Sequence, residues 1–230
     1  MTDEELLEII DFNYRRDYSL TLDPEVAELN AQREEEQNQI QEQVQESGGI
    51  TEADAVAIAQ KWMDSFFHVS TDGMEETIYL TEEYFDVPIY HITYSIRSNC
   101  YYYFSISTID GTVMSIDVSL ATWSELPEIS ETEANAQIST DSQAALQFMK
   151  EKLEIADDFE SIHCLYRAED GQLLSRLLSY YFTTAEGKIH LVTFCRGTGE
   201  FSGYSQVSPE LYQQRVNRED VTDITVYPEN

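Results

Sequence analysis

A chain of 230 residues, 42% hydrophobic and with 15 Tyr and 10 Phe, has enough apolar area for one or two folded cores and is not a disordered polymer. Its 44 acidic residues against 13 basic ones give a formal charge of -31, which repels nucleic-acid phosphates and anionic membrane surfaces. A nucleic-acid partner is therefore not expected, and the acidic surface reads first as a source of solubility.

Residues 1–48 read as an acidic, Glu/Gln-rich helical arm or linker. The stretch Met1 to Ser19 is acidic and interrupted, without the apolar segment behind Lys or Arg that marks a secretory leader. Asp23-Pro24-Glu25 is a helix start, with Asp as cap, Pro at the first helical position and Glu in the first turn. The helix extends to about Gln45. Arg33 and Gln37 break the apolar series Val26, Leu29, Ile40, Val44, so a continuous coiled-coil seam is not expected. Ser47-Gly48-Gly49 stops it.

Residues 49–126 read as a first helix-plus-sheet repeat. Thr51 caps a helix, with Asp54 answering three positions on, and Ala55, Ile58, Ala59, Trp62, Met63 and Phe66 draw one apolar face. The period then switches to two, predicting strands around Ile78 and Leu80, Ile89 to Ile96, Tyr101 to Ile109 and Thr112 to Leu120. Residues 127–137 read as a polar linker.

Residues 138–216 repeat the plan. Ile50 to Gly111 spans 61 steps, as does Ile138 to Gly199, and the two stretches lie 88 residues apart. Ser139 is the expected cap of the second helix, with Ala144, Ala145, Phe148, Met149 and Leu153 on its face, followed by strands near 159–168, 173–184, 187–196 and 199–207. A short helix is expected over Pro209 to Val216, and the tail 217–230 is expected to add an extended edge or stay mobile. The fold class is thus α+β: two tandem repeats, each an amphipathic helix on an antiparallel sheet of about four strands, behind a helical arm.

The helix Thr51-Glu52-Ala53-Asp54-Ala55-Val56-Ala57-Ile58-Ala59 and the hairpin Tyr103-Phe104-Ser105-Ile106-Ser107-Thr108-Ile109-Asp110-Gly111-Thr112-Val113 together resemble the PepSY-like modules of bacteria. The second unit matches less well, with Thr198-Gly199-Glu200-Phe201 in place of the Asp-Gly turn and a long Leu174 to Tyr181 strand. The resemblance implies a helix packed on an antiparallel sheet, usually outside the cytoplasm, with roles in inhibiting or regulating peptidases and in cell-envelope regulation. It brings no catalytic residues with it.

The search for chemistry excludes more than it finds. His68, His91, His163 and His190 are dispersed and show no metal-ligand spacing, and Cys100, Cys164 and Cys195 form no CxxC pair. Cys164 and Cys195 read as small core hydrophobes, whereas Cys100, beside Asn99 in a hairpin turn, is the one open to exposure. There is no GxSxG, Walker or GxGxxG motif. The acidic clusters Asp157-Asp158 with Glu160, and Asp72 with Glu75 and Glu76, lack the spacing of a calcium loop. No catalytic, cofactor or metal residue is assigned.

What remains is a surface. Tyr101, Tyr103, Trp123, Tyr90 and Tyr94 are the candidate contacts for a protein or peptide partner, since tyrosine buries a large area at little entropic cost. The alternative is that these rings pack between the repeats. The expected function is a non-enzymatic binding or regulatory module, the soluble part of a bacterial cell-envelope protein, working through its sheet faces or the groove between repeats. The competing expectations are a hydrolase whose carboxylates converge only in three dimensions and a module that oligomerises through its arm. The chain is expected outside the cytoplasm if an export segment lies upstream, and in the cytoplasm otherwise. No run approaches the roughly 20 apolar residues of a membrane helix, so direct insertion is not expected.

Overall fold

The computed structural model describes residues 24–81, 87–97, 99–119, 129–169, 172–173, 176–196, 199–218 and 221–228. Helix α1 spans Pro24–Glu46 and buries only Val44. Helix α2, Glu52–Trp62, starts with the expected reciprocal cap: Thr51 Oγ1 accepts from the Asp54 N–H and the Asp54 carboxylate accepts from the Thr51 N–H. It continues as a wider π turn over Met63–Phe67 and ends at His68, which takes the left-handed conformation (φ 55°).

Strands β1 (Glu75–Thr81), β2 (Ile89–Arg97), β3 (Cys100–Ser107) and β4 (Val113–Ser119) form an antiparallel meander. Helix α3, Glu131–Glu151, follows, and then β5 (Phe159–Tyr166), β6 (Leu177–Thr184), β7 (Ile189–Cys195) and β8 (Phe201–Val207). Helix α4 occupies Pro209–Val216 as expected, and the tail supplies β9, Thr222–Val226, as an extended edge on β5. A two-residue ribbon, Ala168–Glu169 with Gln172–Leu173, lies outside the main sheet. No described helix is long and apolar enough to cross a membrane.

Helix α3 starts eight residues before the expected cap at Ser139, so the stretch 131–137 is helix, not linker. The cause is a second capping box: Ser130 Oγ accepts from the Glu133 N–H, and Glu133 Oε2 accepts from the Ser130 N–H at 3.0 Å. Ser-x-x-Glu is the same signal as Thr51-x-x-Asp, set in a more polar stretch.

All nine strands join in one sheet, ordered β1-β2-β3-β4-β8-β7-β6-β5-β9. Starting residues recur at the 88-residue offset: Ile89 and Leu177 for β2 and β6, Val113 and Phe201 for β4 and β8. The units meet edge to edge, β4 pairing with β8 in the register Ile116↔Tyr204. Those two residues are 88 apart, so an approximate two-fold axis passes between them. Both helices lie on one face of the sheet, where a single core holds Ala55, Ala59 and Met63 of the first unit together with Ile138, Ala145 and Met149 of the second.

Outside the bulges, cross-strand partners match odd number with odd and even with even. Partners share a face, so in the regularly paired stretches even-numbered strand residues point to the helices and odd-numbered ones to the outer face, while Val113, Phe159 and Phe201, at the bulges, turn to the helix side. The boundary where a groove was expected is this hydrogen-bonded strand pair, and on the helix side Phe201 packs against Phe66 and Phe148 at centroid distances of 5.4 and 5.2 Å.

Candidate functional site

Of the five aromatic residues expected at a partner surface, the structure places two on the outer face. Tyr101 and Tyr103 of β3 are half-buried there. Tyr90 and Tyr94 are core residues, 2% and 1% exposed, because the register pairs Tyr90 with Ile106 and Tyr94 with Tyr102 on the helix side. Trp123 lies outside the described residues.

Tyr79 and His91, not among the expected contacts, join Tyr103 across three strands. The His91 ring is stacked between those of Tyr79, at 4.7 Å, and Tyr103, at 5.6 Å. Their shared odd parity was the signal available in the sequence. Tyr79 is 42% exposed, so one ring of the stack faces solvent.

His91 Nδ1 shares hydrogen bonds with Tyr103 Oη and, at 3.2 Å, with Ser105 Oγ, while its Nε2 is buried without a hydrogen-bond partner. Burial holds its pKa down to about 4, so the imidazole is neutral at physiological pH. Tyr101 Oη donates to Asp117 Oδ2 at 3.2 Å. Burial pushes the Asp117 carboxyl up, and this hydrogen bond opposes the shift. Burial likewise raises the phenols of Tyr101 and Tyr103. The neutral His91 ring and the tyrosines therefore lie beside the Asp117 carboxyl on this face.

The outer face of the second unit is built differently. Leu165, Tyr181, Ile189, Leu191 and Val207 form a second core there with Tyr212 of α4. Tyr101 and Tyr103 stand 88 residues before Ile189 and Leu191, so they occupy the positions that α4 covers in the second unit.

The other titratable group of note joins Asp157, His190 and Tyr204: His190 Nε2 lies 2.9 Å from Asp157 Oδ2 and its Nδ1 lies 3.1 Å from Tyr204 Oη. Burial lowers the His190 pKa, and the Asp157 carboxylate opposes the shift. His190 and Tyr204 are 4% and 7% exposed. Asp157 is engaged with His190 and with Lys188 Nζ at 3.4 Å, and among the described residues no group of three His, Cys, Asp or Glu gathers as a metal site. The three cysteines are free. Cys100, the thiol open to exposure from its sequence, is 8% exposed because it opens β3 opposite Arg97 inside the sheet, whereas Cys195, read as a core hydrophobe, is the more accessible thiol.

No family model and no curated protein matches the chain. Among solved structures it is similar to the Bacillus megaterium YpeB C-terminal domain, at 16% identity and a TM-score of 0.41, over 74% of this chain and 68% of that one. The PepSY-like resemblance has no family match behind it.

Proposed function

We propose that the chain is a non-enzymatic binding module, regulatory in role, that engages a protein or peptide through the outer face of its first unit. One observation carries this reading: Tyr101 and Tyr103 replace, at the 88-residue offset, the two residues that an amphipathic helix covers in the second unit. The matching partner is a short amphipathic helix of a protein or peptide, seated on the first unit as Tyr212 and its helix are seated on the second. Tyrosine rings with polar tips suit a contact that must form and release, since the free face stays compatible with water. Work in the bacterial cell envelope, the setting of PepSY-like modules, is part of the proposal.

The test is site-specific photo-crosslinking, with a benzophenone amino acid at Tyr101 and, as a control, at exposed Glu186 in the second unit. The expected result is a discrete polypeptide captured from position 101 alone, competed by unlabelled protein and not by a Tyr101→Ala/Tyr103→Ala variant. Equal capture from both positions, or competition by the double variant, would overturn the proposal.

Hydrolysis remains the second reading, favoured by the Asp157–His190 contact. The depth of His190 and Tyr204 weighs against it, because a general base must reach its substrate. Ester and peptide hydrolysis that is present in the wild type and abolished by Asp157→Asn would favour this reading over the first.

A further inference from the structure

The second unit carries a strand with no described counterpart in the first. Strand β9 covers the edge of β5, with Thr222 opposite Tyr166 and Val226 opposite Ile162. The counterpart of β5 in the first unit is β1: Ile78 pairs with Ile92 as Cys164 pairs with Tyr180, so on this strand corresponding residues stand 86 apart. Strand β1 ends the sheet, and no described strand pairs with its outer edge. Exposure follows the difference. Glu75, Glu76, Thr77 and Tyr79 are exposed, whereas their counterparts beside β9, Ser161, Ile162, His163 and Leu165, are half-buried or buried. Helix α1 packs against β1, where Leu80 is buried, and leaves the stretch from Glu75 to Tyr79 accessible.

In an antiparallel pair each residue turns both its N–H and its C=O to one neighbour, so alternate residues of this stretch turn theirs away from β2, to the accessible side. Such an edge is a template for another strand, and folds commonly blunt it with a bulge or a proline. Strand β1 has neither: its pairing with β2 runs from Glu75 to Thr81 without a shift, and no Pro interrupts it. What it carries is charge. Glu75 and Glu76 are exposed, and neither is ion-paired among the described residues. On a chain of formal charge -31 these carboxylates repel a second copy and attract a basic segment.

We infer that the edge of β1 binds an extended basic segment of a protein partner as an added antiparallel strand, in the place that β9 holds on the second unit. Backbone hydrogen bonds supply the affinity of such a contact and alternate side chains its specificity. The β9 register defines the sequence. Ile224 stands opposite Cys164, the counterpart of Ile78, and Ile224 and Ile78 both pack against the core, so the partner residue opposite Ile78 is apolar. The residues opposite Glu76 and Glu75 are Lys or Arg. Read in its own chain direction, the segment is apolar, any residue, basic, basic. This edge is separate from the Tyr101 and Tyr103 face, and it takes a strand where that face takes a helix.

The test adds the end-blocked peptide Gly-Thr-Val-Thr-Val-Thr-Lys-Lys-Gly to the full chain and reads amide hydrogen exchange residue by residue. At about 1 mM peptide, exchange is expected to slow at alternate residues between Glu75 and Tyr79 and to stay unchanged in β9. N-methylation of the valines and, in a second peptide, of the threonines is expected to differ in effect about tenfold or more, because only one set of N–H groups faces β1. A peptide with Glu in place of Lys is expected not to bind, and the Glu75→Lys/Glu76→Lys variant to reverse that preference. The Tyr101→Ala/Tyr103→Ala variant is expected to bind the Lys peptide as the wild type does, which keeps this result apart from that of the outer face. No slowing at β1, or equal effects of the two methylation patterns, which would mean attraction by charge alone, would overturn the inference. So would slow exchange at β1 that depends on protein concentration without peptide, since a second copy would then be the occupant.

Discussion

Phe201 joins the two units and is the residue through which their coupling is best tested. It stands at the bulge on β8, and its ring meets Phe66 and Phe67 of the first unit at 5.4 and 6.2 Å and Phe148 and Phe194 of the second at 5.2 and 6.3 Å. Phe→Ala in a core costs about 3–5 kcal/mol, through lost transfer energy and the cavity left behind. Phe201 is only partly buried, which places the expected loss near the lower end, about 3 kcal/mol. For a chain of this size that corresponds to a fall in melting temperature of roughly 6–12 °C. Both tryptophans, Trp62 and Trp123, precede the second unit, so urea unfolding followed by tryptophan fluorescence reports the first unit and far-ultraviolet circular dichroism reports both. In the wild type the two curves are expected to coincide, because one sheet and one core span the units. In Phe201→Ala they are expected to shift to lower urea and to separate. Wild-type curves that separate, or a loss below about 1 kcal/mol in the variant, would refute the view that the junction couples the units.

Burial holds His91 at about 4 against an ordinary 6.5, so below pH 6.5 the unfolded chain binds a proton that the native chain refuses. That contribution is full above pH 6.5 and falls as pH drops towards 4, by roughly 3 kcal/mol. The carboxyls of Asp117 and Asp141 are shifted up and act with the opposite sign, so the readout is the pH slope of the wild type minus that of His91→Phe. Equal slopes would show that His91 contributes nothing to the pH dependence. Ser130→Ala is expected to cost about 1 kcal/mol and to speed amide exchange over the first two turns of α3, and unchanged exchange would show that the cap does not hold them. In native protein, alkylation is expected at Cys195 first, while Cys164, 1% exposed and with its thiol pushed far up by burial, reacts only on unfolding. Peptide mapping after brief iodoacetamide treatment reads the order, and early labelling of Cys164 would contradict its burial.

The strands were legible because period two survives in residue identity: Ile92, Phe104 and Ile116 alternate with polar neighbours, and each is at most 2% exposed. The start of α3 was not, because among the described residues its first two turns bury only Ala134 and Ile138, too few apolar positions to show a period. The Ser130–Glu133 cap was the one local signal. The division of tyrosines between faces needed the β2–β3 register. Tyr94 looks like Tyr101 in composition, and only the pairing Tyr94↔Tyr102 assigns it to the core. The Tyr79–His91–Tyr103 stack depends on two such registers at once. A cavity under α3 was invisible for a different reason. It lies where Ala145 and Phe148 of the helix face Leu178 and Phe194 of the strands, a meeting of distant segments that no period encodes.

The two units share a backbone plan and differ in what covers each face, which separates folding demands from functional ones. At the 88-residue offset, Ile189 and Leu191 under α4 show that the outer face of such a unit is stable when apolar and covered. Tyr101 and Tyr103 give up part of that burial in the first unit. On the helix side the exchange runs both ways, since Ile92 stands against Tyr180 and Tyr94 against Phe182, each tyrosine carrying a buried hydroxyl into one unit. Each departure costs stability at a position where the sister unit shows the more stable choice. A duplicated fold thus carries its own internal reference, and on that reference the outer face of the first unit is where contact with other molecules is to be sought.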